Sequence, residues 1–235
     1  MAKKKSNSLI KFLIIISLTA VLGIGATLAY LHDITDTKKN VFTSDRKISI
    51  QLREPEWDGY NFNDEPGGDG TTAKPEITGT ELENLGITQA SSYVPGAKIP
   101  KNPQIRNNGE KGTGVSSYVA LKVEYFNDAD EKVSYEDFKK AYLEGDGIAF
   151  DSKWTLLDNK SNEQIYLYED ILAINEDTSE HPLFKEVPLS LALEPKADGT
   201  GMLPKFEIKV TAYAIQSDNV SLEDAKTEMM KFAAL

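Results

Sequence analysis

Apolar and polar positions alternate in three long stretches of this chain, the period of a half-buried β-strand. In residues 47–53, Ile48, Ile50 and Leu52 alternate with polar neighbours. In residues 117–126, Val119, Leu121, Val123 and Tyr125 alternate against Ala120, Lys122 and Glu124. Residues 206–216 carry the strongest pattern. Phe206, Ile208, Val210, Ala212 and Ala214 share one face, and Glu207, Lys209, Thr211, Tyr213 and Ile215 share the other. Shorter strands are predicted at residues 154–157, 164–168 and 188–193, separated by Asp-Asn, Asn-Glu and Pro signals. This spacing predicts a mainly β chain built as an antiparallel β-sandwich. Helical spacing occurs twice. Ser134 opens a capping-box-like stretch in which Tyr135, Phe138, Tyr142 and Leu143 recur at helical intervals up to Gly145. Ser221 precedes a C-terminal helix whose Leu222, Ala225, Met229 and Phe232 share a face.

Between these elements, proline and glycine set the punctuation. Pro55 ends the first strand, because proline cannot continue a ladder. Residues 59–75 hold Gly67, Gly68, Gly70 and several acids, and read as an exposed loop. Residues 81–85 suit one helical turn. Residues 94–109 read as a turn, an extended proline-restricted segment, and then an Asn-Gly turn.

The N-terminus has a different pattern. Lys3, Lys4 and Lys5 precede a largely apolar run, residues 9–31, whose one charged residue is Lys11. Residues 12–31 are long enough to span the ~30 Å of a bilayer's hydrocarbon core, so an uncleaved anchor is one reading. Gly23, Gly25, Ala26 and Ala29 crowd the end of the run, as a signal peptidase pocket requires, and favour a cleaved signal. Residues 1–29 are therefore read as a signal peptide, with Thr27, Ala29 and Tyr30 at the cleavage region. A polar leader, residues 30–45, follows, and then one β-sandwich domain, residues 46–235. Val41, Phe42 and Thr43 are the leader's strand-compatible residues and its candidate assembly strand.

Removing residues 1–29 takes away Lys3, Lys4, Lys5 and Lys11 and no acid. The 26 basic residues less these four leave 22 against 37 acidic, a net of −15. Such a charge disfavours nucleic acid and anionic lipid as partners. Membrane contact is expected only through the uncleaved signal. Cysteine is absent, which excludes disulfides, zinc thiolates and a thiol nucleophile. An exported chain without cysteine fits a bacterium better than a eukaryote.

Several of these stretches resemble a known group. The junction Ala26-Thr27-Leu28-Ala29-Tyr30-Leu31, followed by Asp33, Thr35, Asp36 and Asn40-Val41-Phe42-Thr43, resembles the start of SipW-dependent exported proteins of Gram-positive bacteria. Residues 52–58, the segment 95–109 with its Lys101-Asn102-Pro103-Gln104-Ile105-Arg106-Asn107-Asn108-Gly109 run, Tyr118-Val119 and residues 211–216 resemble the BsaA branch of the biofilm matrix proteins, with TasA and camelysin more distant. The resemblance does not cover the glycine-rich loop or residues 130–180. It implies a jelly-roll-like sandwich, release by a specialised signal peptidase, and self-assembly into extracellular matrix fibres at the cell surface, alone or with other matrix proteins.

Candidate chemistry adds little to that expectation, and no enzyme is predicted. Camelysin-like metalloprotease activity needs metal ligands, yet the chain lacks His-Glu-x-x-His, and its two histidines, His32 and His181, are far apart in sequence. No cofactor is expected. Calcium is the weak exception, at residues 127–131 and 64–69, though neither loop has full cation-loop spacing. Tyr118, Tyr125, Phe126, Tyr166, Tyr168 and Tyr213 suit either a carbohydrate-binding face or the core. A surface adhesin or carbohydrate-binding module is thus the alternative function. Glu76 with Glu81 and Asp137 with Glu144 are the candidate carboxylate pairs, with no sign of a shared cleft. Leu203-Pro204-Lys205 lacks the remainder of a cell-wall sorting signal.

Overall fold

The computed structural model describes residues 32–34, 46–64, 67–160 and 162–233. The signal peptide, its cleavage residues Thr27, Ala29 and Tyr30, and the strand-compatible Val41, Phe42 and Thr43 lie outside the described residues. Strand outweighs helix, 29% against 18%, so the chain is mainly β.

The longest alternating stretches become the centre of the main sheet. Strand β5 (Ser117–Phe126) pairs antiparallel with β10 (Glu207–Gln216) over ten positions, from Glu207 opposite Phe126 to Gln216 opposite Ser117. On the other side of β5 lie β8 (Glu163–Tyr168) and then β7 (Trp154–Lys160), while β6 (Lys132–Val133) pairs with the end of β5. Strand β1 (His32–Ile34) covers part of the outer edge of β10. Every pairing in the sheet is antiparallel.

Because side chains alternate across a strand, the sheet buries both faces. Val119, Leu121, Val123, Tyr125, Ala212 and Ala214 belong to the larger core. It is closed by two separate two-stranded ladders and a helix. One ladder pairs β2 (Ile50–Arg53) with β4 (Gln104–Asn107), and contributes Ile50 and Ile105. The other pairs β3 (Lys98–Pro100) with β9 (Glu186–Pro188), and contributes Ile99 and Val187. Helix α4 (Tyr135–Tyr142) adds Phe138 and Tyr142. The opposite face carries Tyr118, Ala120, Ile165, Leu167, Tyr213 and Ile215, which pack with Ala225 and Met229 of the C-terminal helix α5 (Leu222–Ala233). Ser221 caps that helix: its Oγ accepts from Asp224 N at 3.1 Å and donates to Asp224 Oδ2 at 2.6 Å.

Several local expectations change. Pro55 does not simply end a strand; it starts the short helix α1 (Pro55–Asp58), because its fixed φ suits a first helical position. Gly59 closes α1 in the left-handed region, its N–H donating to Pro55 O at 3.0 Å. The turn near residue 81 is a pair of short helices, α2 (Gly79–Asn84) and α3 (Gly86–Ala90). Helix α4 ends at Tyr142, before Gly145, because the Leu143 backbone leaves to bridge Leu189. The strand expected over residues 188–193 occupies Glu186–Pro188 instead, and the chain then turns at residues 191–192, leaving Leu191 72% exposed. In the C-terminal helix, Leu222 is 38% exposed, so Ala225 and Met229 carry the buried stripe.

Candidate functional site

Among the described residues, only part of the outer edge of β10 has a strand partner. His32, Asp33 and Ile34 of β1 sit opposite Ile215, Ala214 and Tyr213, and among the described residues no strand pairs with residues 207–212 on that side. An unpaired edge presents backbone donors and acceptors to any extended chain that reaches it. Beside this open half runs a groove of about 1120 Å³. Phe206, Ile208 and Val210 line it from the sheet side, and β2, α1 and residues 67–72 line it from the other. Phe206, Ile208 and Val210 are half-buried and alternate with exposed Glu207 and Lys209, which line the groove too, so this side is mixed rather than wholly apolar.

The facing wall concentrates charge. Arg53, Glu54, Asp58 and Lys101 all line the groove, and Arg53, Asp58 and Lys101 are buried. Lys101 Nζ meets Glu54 Oε2 at 2.5 Å and sits 4.8 Å from the centre of the Trp57 ring. Glu54 Oε1 is buried without a hydrogen-bond partner. Asp58 Oδ1 accepts from Tyr60 N at 3.0 Å. Burial pushes the Asp58 carboxyl up to about 6, with the nearby Glu54 charge acting in the same direction.

These groups also fasten the glycine-rich loop, which is less free than its composition predicts. Arg53 Nη1 donates to Gly67 O, Trp57 Nε1 donates to Gly70 O at 2.9 Å, and Lys74 N donates to Asp58 O at 2.8 Å. Much of the loop stays exposed, but its far side is tied to one short stretch of chain, residues 53–58.

Most residues singled out from the sequence sit elsewhere. Tyr125, Tyr166 and Tyr168 are buried in the larger core and Tyr118 and Tyr213 in the smaller, so these rings do not form a sugar-binding face. Phe126 is half-buried beside them in sequence. The described acids of both candidate calcium loops have partners: Asp64 pairs with Lys74, Asp69 accepts from Thr71, Asp128 pairs with Lys196, Asp130 pairs with Lys205, and Glu131 accepts from Asn127. Among the described residues no group of three or more metal-ligating side chains converges. Ser134 N-cap bonding occupies Asp137, and Glu144 Oε2 accepts from Leu191 N, so that pair has separate structural duties. Glu76 and Glu81 are exposed. His181 Nδ1 lies 3.2 Å from Asp151 Oδ2, and its backbone O accepts from Trp154 Nε1. His32 lies in β1.

Sequence pattern alone makes residues 53–58 no more than a strand end, although Arg53-Glu54 and Asp58 around a proline and a tryptophan are an unusual concentration of charge for a buried turn. No helix among the described residues is long and apolar enough to cross a membrane. No protein-family profile, curated protein or solved structure matches this chain.

Proposed function

We propose that this chain is a secreted structural protein of an extracellular matrix, and that it polymerises by adding a strand from one copy to the open edge of β10 in the next. The observation that carries the reading is that edge: residues 207–212 lack an outer partner among the described residues, directly beside a half-apolar groove. Strand addition to such an edge gains main-chain hydrogen bonds and buries alternate side chains. A head-to-tail contact of this kind does not close on itself, so it makes filaments. The N-terminal leader is the natural donor: its residues 32–34 pair with β10 of their own chain, and in the proposed filament the leader leaves that place for the same edge of the next copy. Export, removal of residues 1–29 by a SipW-type peptidase, a jelly-roll arrangement of the strands and kinship with the BsaA branch belong to the same reading. They rest on the resemblance at the signal junction and at residues 52–58, 101–109 and 211–216.

Electron microscopy of the purified mature chain tests this proposal. Filaments are expected, and a variant lacking residues 30–43 is expected to unfold cooperatively yet form none. Normal filaments from the shortened chain, or a mature chain that stays monomeric across concentration, pH and added calcium, overturn it.

A further inference from the structure

Lys101 and Glu54 bring an amine and a carboxyl together in the groove wall with little water around them. Nζ lies 2.5 Å from Oε2, and the two side chains are only 9% and 11% exposed. Their backbones are fixed on both sides of the contact. Lys101 N donates to Lys185 O at 3.1 Å, Glu56 N donates to Asn102 Oδ1 at 2.8 Å, and Glu54 O accepts from Trp57 N at 2.8 Å. The Trp57 ring covers Nζ from 4.8 Å. Glu54 Oε1 is buried with no hydrogen-bond donor among the described residues, so the carboxylate charge is only half supported. Passing one proton from the ammonium to the carboxylate removes both charges from this poorly solvated place.

We propose that Lys101 and Glu54 go on to condense, so that the folded chain cross-links itself by an amide between Lys101 Nζ and Glu54 Cδ. The ion pair is the arrangement before reaction. After the proton transfer the neutral amine adds its lone pair to Glu54 Cδ, forming the N–C bond. One carboxyl oxygen then leaves as water: its C–O bond breaks, and the nitrogen gives up one further proton. The sum is one ammonium and one carboxylate converted to one amide and one water, with nothing oxidised or reduced. Holding the reacting atoms in contact replaces the help of an activating molecule, and the groove gives the released water its exit.

Asp58 is placed to carry protons for this step. It lies one helical turn from Glu54, with Asp58 N donating to Glu54 O at 3.2 Å. Burial pushes its carboxyl up to about 6, so near neutral pH it can both give a proton to the leaving oxygen and take one from nitrogen. Lys132 supplies the contrast. It touches Glu124 Oε1 at 2.6 Å and Glu163 Oε2 at 2.9 Å, but it is 32% exposed, and water keeps its ammonium charged. The cross-link goes beyond strand addition and does not depend on it. It ties the start of α1 to the segment before β4, and restricts the unfolded chain as a disulfide would.

Tryptic mapping of the mature chain by mass spectrometry tests the bond. Trypsin does not cut after an acylated lysine, so residues 54–98 are expected joined to residues 99–106, short by the mass of one water. Lys101→Arg and Glu54→Ala chains are expected to give unlinked peptides of full mass and to melt at a lower temperature than the parent. The Lys132→Arg chain is expected to keep the link. Asp58→Asn leaves both reacting groups in place, and most of that chain is expected to stay unlinked under conditions that link the parent fully. Separate parent peptides of full mass overturn the proposal. A missing water that maps to Lys132 overturns the choice of pair, and an Asp58→Asn chain linked as completely as the parent overturns the part given to Asp58.

Discussion

Asp58 and Asn107 are both buried and polar, and their surroundings make different demands on solution conditions. Asp58 is 2% exposed, and its folded pKa of about 6 lies above the ordinary 3.8. A carboxyl raised in this way binds its proton more tightly in the folded state. Its contribution to stability is complete below about pH 4 and is lost as pH rises through about 6. The difference amounts to about 3 kcal/mol. Asp58→Asn keeps an acceptor for Tyr60 N and has no charge to bury, so denaturant unfolding from pH 4 to 7 should show a flatter pH dependence than the parent. Parallel profiles would mean that burial does not perturb Asp58. Asn107 does not titrate. Its Nδ2 donates to Val115 O at 2.8 Å and Leu172 O at 3.0 Å, and its Oδ1 accepts from Gly109 N at 3.0 Å. Asn107→Ala leaves Gly109 N without this acceptor and takes one donor each from Val115 O and Leu172 O, which keep Ser117 Oγ and Ser117 N, and a loss of about 2 kcal/mol is expected by chemical denaturation.

At the scale of elements, α5 is what makes the second face of the sheet a core. Met229 and Ala225 are fully buried against the face that carries Tyr213 and Ile215. Met229→Ala removes that packing and leaves a cavity, for a predicted loss of about 2–4 kcal/mol in equilibrium unfolding. Ser221→Ala removes only the cap, and a loss of about 1 kcal/mol is expected. If both substitutions have the same small effect, α5 is not packed as described. The β2–β4 ladder is the element that joins stability to the groove: Ile50 lies in the core, while Arg53 at its far end fastens Gly67.

At the scale of the whole molecule, the proposed export rests on the N-terminal pattern. N-terminal sequencing of protein recovered from culture supernatant is predicted to begin within a few residues of Ala29. Recovery only with membranes, with residues 12–28 retained, would replace the cleaved signal by an anchor. The net of −15 that the proposed cleavage would leave favours separate copies through self-repulsion. A specific edge contact of the proposed kind is therefore a stronger basis for association than general adhesion.

The sequence alone determined the elements whose faces have a strong period. The Ser117–Phe126 strand, the strand at its side ending in Gln216, and the helix after Ser134 were legible because alternation or helical spacing reports directly which side chains are buried. Weakly patterned segments were not. Residues 98–107 read as extended chain, yet Lys98–Pro100 and Gln104–Asn107 enter two different ladders, a choice made by partners far away in sequence. The candidate site was invisible for the same reason. Nothing local in Arg53, Glu54, Asp58 and Lys101 says that they share one groove wall. Pattern reports how a segment meets solvent; only the packed structure decides which segments meet each other, because the hydrogen bonds and apolar contacts that fix their pairing come from residues many positions apart.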